Sequence, residues 1–157
     1  MERFTRWVWH KRDDLILFSS IVLGTFLRFH GLMWDASYFF NPDEGRAIRW
    51  SLEITYPFTL RSEWGTAPRY LLKLLTLVAS LFGEPGERET YLLARGTAAL
   101  LSSLIIVLCY LVAKRACDQK VGVWAAALTA FTVLNIQYAH FYVLDVVLAF
   151  FVIVAFY

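Results

Sequence analysis

The residues from Tyr91 to Ala113 form an apolar run in which Arg95 is the single charged residue. A helix of about 20 apolar residues is long enough to cross a bilayer, so this run predicts a membrane-spanning segment. The composition agrees, because 59% of the 157 residues are hydrophobic and 17% are aromatic, more than an ordinary soluble domain carries. We therefore predict an all-α fold, that of a polytopic transmembrane protein.

Three further apolar runs complete the predicted topology. Residues 15–32 and 121–139 are predicted as the first and third spans, with 91–113 between them as the second. Residues 145–157 are the start of a fourth span that is too short to cross. We expect that the chain is an amino-terminal fragment of a longer protein and that it is inactive alone.

Basic residues orient these spans. The tail, residues 1–14, and the loop 114–120 are rich in lysine and arginine, so both are predicted to be cytoplasmic. The long segment 33–90 then lies on the outer side, and so does the turn before Asp145. Within this outer loop, residues 68–82 form an apolar stretch of about 15 residues that carries two basic side chains, which predicts a helix lying in the membrane interface.

Two adjacent carboxylates, Asp43 and Glu44, follow the first span in the sequence Asn-Pro-Asp-Glu-Gly-Arg. The predicted topology places Asp145 on the same outer rim. An ionisable side chain that opens an apolar helix is rare unless it faces a cavity or a partner. The alternative is that Asp145 is an acid favoured by the helix dipole. We predict that Asp43 and Asp145 converge on one cavity, with Glu44 on the same face.

Small residues repeat at spacings of three or four in the second and third spans. This spacing puts them on one helix face, where two backbones can approach closely. The sequence therefore predicts helix contacts through these residues, which are Gly96, Ala99, Ser103, Gly122, Ala126 and Ala130.

Several motifs, in order along almost the whole chain, resemble the GT-C class of membrane glycosyltransferases. The similarity is greatest to the protein O-mannosyltransferase and aminoarabinose-transferase branch, glycosyltransferase families 39 and 83. The motifs are Leu27-Arg28-Phe29, the Asn-Pro-Asp-Glu at 41–44, Trp64-Gly65-Thr66-Ala67-Pro68-Arg69 and the residues that follow it, Arg95-Gly96-Thr97, and His140-Phe141 before Asp145.

The resemblance implies a GT-C-like fold with juxtamembrane helices in the first outer loop. It implies Asp43 as the catalytic base and Glu44 as its supporting carboxylate. It also implies that Asp43 and Asp145 hold a divalent cation in some members of the class; no other cofactor is expected. The donor implied is a polyprenyl-phosphate-linked sugar, with an unidentified acceptor.

The chemistry suits these residues. A carboxylate can take a proton from the acceptor hydroxyl, and cations can stabilise the leaving phosphate. The candidate substrate-binding residues on the outer side are Arg28, Arg46, Arg69, Lys73, Arg95 and His140.

The sequence thus predicts an inverting glycosyltransferase at the outer face of the cell (inner) membrane, or of the endoplasmic reticulum membrane in a eukaryote. Its partners would be the lipid bilayer, the donor and the acceptor, and the net charge of +2 gives no reason to expect nucleic acid. Two alternatives remain open: a membrane transporter and a structural subunit of a membrane complex. Snorkelling to the interface also remains open for Arg28 and Arg95.

Overall fold

The computed structural model describes residues 2–36, 38–54 and 66–157, and every regular element in those ranges is helical. The prediction of an all-α fold is therefore confirmed for the described part of the chain. The motif residues Trp64 and Gly65 lie outside it. The helices are α1 (Glu2–Phe29), α2 (Pro42–Leu52), α3 (Ala67–Ala79) with a 3-10 turn (Ser80–Phe82), α4 (Glu87–Ala116), α5 (Gln119–Phe131), α6 (Val133–Ala139) and α7 (Leu144–Phe156).

Local signals explain where α1 ends and where α2 begins. Helix α1 ends before Gly31, whose φ of +74° is the left-handed conformation that commonly follows a helix. Helix α2 begins after Asn41, whose side chain accepts hydrogen bonds from the backbone N–H groups of Asp43 (3.0 Å) and Glu44 (3.3 Å). Pro42 occupies the first helical position, where its missing N–H costs nothing. The capped start of α2 fixes where both carboxylates emerge.

Helix α4 is the centre of the bundle. It packs against α5, α7 and α1, and α1 also packs against α5. At one end of the bundle the Gln119 amide donates to the Asp14 carboxylate across 3.4 Å, which puts the start of α5 beside α1. Arg95, near the start of α4, contacts Glu44. The loop 114–120 begins roughly 28 Å from Arg95 along the axis of α4, because a helix rises about 1.5 Å per residue.

Among the described residues, α4 is the one helix that is long and apolar enough to cross a membrane by itself. Helices α5 and α6 make a second candidate span if the pair, bent by 58°, is counted as one broken span. Helix α1 ends at Phe29, before the predicted boundary of the first span at Leu32. Charged side chains lie at both ends of its last 18 residues, so α1 does not qualify as a candidate span by the same measure. The number of spans and their sidedness stay predictions.

The predicted third span, 121–139, is two helices rather than one, because the chain turns at Thr132 (φ −66°, ψ 115°). In an unbroken helix the carbonyls of Thr129 and Ala130 would accept from the N–H groups four residues later. Here both accept from the Arg28 guanidinium, each across 2.9 Å. The Arg28 guanidinium thus supplies the donors that these two carbonyls would otherwise find in the backbone of a continuous helix.

The predicted small-residue contacts are confirmed except at one position. Ala126 and Ala130 are completely buried, as is Ala99 on the facing helix. Gly122 is buried so closely against α4 that a Cβ atom there would lie 2.9 Å from the Tyr110 carbonyl oxygen. Gly96 differs, since a Cβ atom there would meet no atom within 4 Å. Its expected helix contact is wrong because Gly96 turns toward an open groove lined by Leu92, Leu100 and neighbours.

We expect Gly122→Ala to destabilise the bundle and Gly96→Ala not to. The added methyl group at position 122 must push the two helices apart, at a cost of about 1–3 kcal/mol. At position 96 the methyl group has space, and alanine gains up to about 1 kcal/mol in helix propensity. Thermal unfolding of both variants in one detergent measures the difference, and equal midpoints would contradict the close approach at Gly122.

Candidate functional site

Arg95 is completely buried and lies between two buried carboxylates, Asp35 and Glu44. A guanidinium has five N–H donors, and each of the five has a partner here. Nε and Nη2 donate to the Glu44 carboxylate at 2.9 and 2.6 Å, Nη1 and Nη2 donate to the Asp35 carboxylate at 2.5 and 3.2 Å, and Nη1 also donates to the Leu32 carbonyl at 2.8 Å. We call Arg95, Asp35 and Glu44 the clasp.

The clasp joins three parts of the chain that are distant in sequence. Asp35 lies in the turn after α1, Glu44 in the first turn of α2, and Arg95 in α4. The Asp35 carboxylate also accepts from the Phe40 N–H at 3.1 Å. The hydrogen bond from the guanidinium holds the pKa of Asp35 below its usual value, against the opposing effect of burial. The segment between α1 and α3 is therefore tied to α4 through an ion-paired cluster.

Glu44 extends the clasp to the segment between α6 and α7. Its Oε1 accepts from the Tyr142 N–H at 2.9 Å. The Tyr142 ring is completely buried, and its hydroxyl donates to the Pro68 carbonyl at 2.6 Å. Burial raises the pKa of the Tyr142 hydroxyl. Glu44, predicted as the supporting carboxylate, thus positions the backbone around its neighbour Asp43 and has no exposed surface of its own.

Asp43 has a different environment, although it is adjacent in sequence. Its side chain is about half exposed (48%), and one oxygen lies 3.8 Å from the Arg46 guanidinium. It lines a cavity of about 30 Å³, room for roughly one water molecule. We call this the Asp43 cavity. Its wall consists of Asp43, Ala47, Trp50, Pro68, Arg69, Tyr142, Val143 and Leu144.

The predicted basic residues differ in their access to this cavity. Arg69 lines it, and its guanidinium lies 4.3 Å from the centre of the Trp50 ring, a cation–π contact. Lys73, one turn further along α3, donates to the Leu52 carbonyl at 3.2 Å, where a cation complements the end of α2. Arg46 is exposed beside Asp43. The structure thus gathers these three cations around α2 and α3.

Arg28 and Arg95 are instead bonded to the protein. Besides Thr129 and Ala130, the Arg28 guanidinium donates to the Ser102 hydroxyl and the Gly24 carbonyl, both at 2.8 Å. Neither arginine has exposed surface. A snorkelling position is therefore wrong for both, because their polar groups are satisfied inside the helix bundle.

His140 and Asp145 are close in sequence to the cavity residues 142–144, but neither of them lines the Asp43 cavity. The ring nitrogens of His140 lie 2.7 Å from the Ile136 carbonyl and 2.9 Å from the His30 carbonyl. Asp145 is exposed in the first turn of α7, directly after cavity residue Leu144. Among the described residues no group of three or more acidic, histidine or cysteine side chains could hold a metal ion.

Sequence reasoning missed three residues of this site: Asp35, Trp50 and Tyr142. Asp35 had a detectable signal, because the charge of Arg95 inside an apolar run requires a partner at the same rim. The sequence offers no such signal for Tyr142, whose backbone N–H is the group that Glu44 binds.

Comparison with known proteins gives a family match over part of the chain. Residues 80–157 match the family described as dolichyl-phosphate-mannose-protein mannosyltransferase. No curated protein and no solved structure matches the chain. The matched segment includes Arg95 and the cavity residues Tyr142, Val143 and Leu144. The resemblance to GT-C membrane glycosyltransferases is therefore confirmed over residues 80–157, and it supports a mannosyltransferase-type glycosyltransferase.

Proposed function

We propose that this protein transfers mannose from a polyprenyl-phosphate donor to an acceptor hydroxyl at the outer face of a membrane, as a multi-pass protein. The observation that supports this most is the composition of the Asp43 cavity. Half-exposed Asp43 and Arg69 line one cavity, part of whose wall comes from the family-matched segment. A carboxylate beside a cation is the pair that sugar transfer from a phosphate requires.

Asp43 acts as the general base in this proposal. It takes the proton of the acceptor hydroxyl while the hydroxyl oxygen bonds to the anomeric carbon. The bond between that carbon and the phosphate oxygen breaks, and its electron pair leaves with the polyprenyl phosphate. A single displacement of this kind inverts the anomeric centre. A covalent intermediate on Glu44 has no support, since that carboxylate is buried and held by Arg95 and Tyr142.

Arg69 is the proposed phosphate ligand, supported by Arg46 and Lys73. As the phosphate leaves it gains negative charge, and a guanidinium binds such oxygens in a bidentate manner. The contact with Trp50 holds Arg69 at the cavity wall. Arg28 and Arg95 have a positioning role in this proposal, because their donors already bind protein acceptors. Asp145 keeps a proposed role beside the phosphate, directly or through a divalent cation shared with Asp43.

The donor class is tested with membranes that contain the full-length protein. Two radiolabelled donors are compared, polyprenyl-phosphate mannose and a nucleotide-linked mannose. We expect label to reach endogenous acceptors from the first donor and not from the second, and we expect Arg69→Met to raise the KM for the lipid donor. The matched control is Arg88→Met, an exposed arginine in α4. Transfer from the nucleotide donor alone would reject the proposed donor.

A further inference from the structure

A second pocket is lined by the same segment of the chain that contributes to the Asp43 cavity. Phe141 lines this pocket, while the next residue, Tyr142, lines the Asp43 cavity. Its volume is about 380 Å³, within the usual size of small-molecule sites. We call it the His30 pocket, and its wall consists of His30, Gly31, Trp34, Gln137, His140 and Phe141.

The part of the pocket wall that the described residues form is aromatic and polar, and it carries no acidic side chain, lysine or arginine. This contrasts with the Asp43 cavity, whose wall includes an aspartate and an arginine. An imidazole, an indole N–H and an amide offer hydrogen bonds to hydroxyl groups. The rings of Trp34 and Phe141 offer apolar faces. This combination suits a neutral ligand that has both C–H faces and hydroxyl groups.

The aromatic side of the pocket is ordered by stacking. Trp34 is 60% exposed, yet its ring stacks on Phe40 at 5.9 Å and meets the edge of Phe141 at 6.5 Å. Phe40 in turn stacks on Tyr38 at 5.5 Å. Between them Phe39 has a φ of +44°, a costly conformation for a side chain of this size. In this conformation the Phe39 ring stacks on the Tyr91 ring inside the protein, with 3.8 Å between the ring centres. The flanking residues Tyr38 and Phe40 remain exposed.

The polar side is held by His140. Its ring lies between the Ile136 carbonyl in α6 (2.7 Å) and the His30 carbonyl after α1 (2.9 Å). A neutral imidazole has one N–H, so it donates to one carbonyl and packs against the other. The ring thus touches both elements that face each other across the pocket, so the pocket exists before any ligand arrives. A preformed site loses less entropy on binding.

We propose that the His30 pocket binds a neutral hexopyranose, with one sugar face stacked on Trp34 and hydroxyl groups bonded to Gln137 and His30. The proposal rests on the proposed function in one respect: the reaction has a hexose donor, and the pocket shares a wall with the Asp43 cavity. A neutral hexopyranose has two sources in this reaction, the mannose of the lipid donor and a glycan on the acceptor.

The test is a direct binding measurement that does not depend on turnover. The protein in lipid nanodiscs is mixed with methyl α-mannopyranoside, and saturation-transfer NMR reports contact with the sugar ring protons. We expect Trp34→Ala to weaken binding about tenfold, the effect of losing roughly one stacked aromatic contact. Gln137→Ala should also weaken it. The matched control is Trp124→Ala, which removes a similarly exposed tryptophan of α5 and should leave binding unchanged.

Competition distinguishes the two sources. A short-chain polyprenyl-phosphate mannose that displaces the mannoside supports the pocket as the seat of the donor sugar. Binding of both together supports the pocket as a separate glycan site. Mannose 6-phosphate tests neutrality, and tighter binding of this charged sugar than of the mannoside would overturn the proposal.

Membrane anchoring is the rival role for Trp34, because tryptophan is enriched at bilayer interfaces. If Trp34→Ala left mannoside binding intact and weakened retention of the protein in nanodiscs, the sugar site would be rejected. Mannoside binding by the full-length protein without any transfer from the lipid donor would instead reject the proposed function and leave the pocket standing.

Discussion

Replacing Arg95 with methionine is expected to lower the free energy of unfolding by about 3–5 kcal/mol, the cost of removing one partner from a buried ion pair. The variant leaves the carboxylates of Asp35 and Glu44 close together in an interior that excludes water. Lysine at this position should restore only part of the stability, because one ammonium cannot supply the five directed donors of a guanidinium. Thermal unfolding in a mild detergent measures both variants.

The matched control for Arg95→Met is Arg88→Met, since Arg88 is an exposed arginine of the same helix. It should change stability by less than about 1 kcal/mol. A further comparison separates charge from packing: with Glu44→Gln already present, Arg95→Met should cost less than it does in the wild type. Equal destabilisation by Arg88→Met and Arg95→Met would contradict the clasp.

Local patterns predicted much of the fold. Helix α4 includes the predicted run 91–113, and α3 with its 3-10 turn occupies 67–82, because apolar length and periodicity are local properties of a sequence. The small-residue contacts at 122, 126 and 130 followed from spacing alone. Gly96 did not, since the same spacing also arises where a helix faces an open groove.

The break at Thr132 was beyond sequence reasoning. No proline or glycine marks it, and the carbonyls it frees are satisfied by Arg28, a residue about a hundred positions earlier. A helix interruption that depends on a distant side chain leaves no local pattern. Snorkelling was a reasonable interpretation of Arg28 by itself, because three of its four partners are backbone carbonyls, which composition cannot reveal.

The acidic pair shows the same limit within a single motif. Sequence pointed to Asp43 and Glu44 together, but the structure separates their environments. Glu44 is buried against Arg95, whereas Asp43 is half exposed at a cavity. Adjacent residues at the start of a helix point about 100° apart, so one can face the bundle while the other faces the solvent. Which of the two faces inward depends on the position of Arg95 in α4.

Asp43→Asn in the full-length protein is expected to reduce mannose transfer by about 10²–10⁴-fold, the usual contribution of a general base. The fold should persist, because asparagine has nearly the same shape and the lost contact with Arg46 is an exposed ion pair at 3.8 Å. Asp118→Asn is the matched control. Asp118 caps α5 by accepting from the Val121 N–H at 2.9 Å, and asparagine caps a helix about as well as aspartate.

The pH dependence of the residual activity distinguishes a base from a group that only binds. If Asp43 removes the acceptor proton, the variant should lose the acidic limb of the wild-type pH–rate profile as well as its rate. If Asp43 only holds a cation or the sugar, the KM for the donor should rise while the profile keeps its shape. Transfer at the wild-type rate by a correctly folded Asp43→Asn protein would reject Asp43 as the base. The clasp would then remain as a structural feature, because Arg95 and Glu44 stay paired whether or not their neighbour reacts.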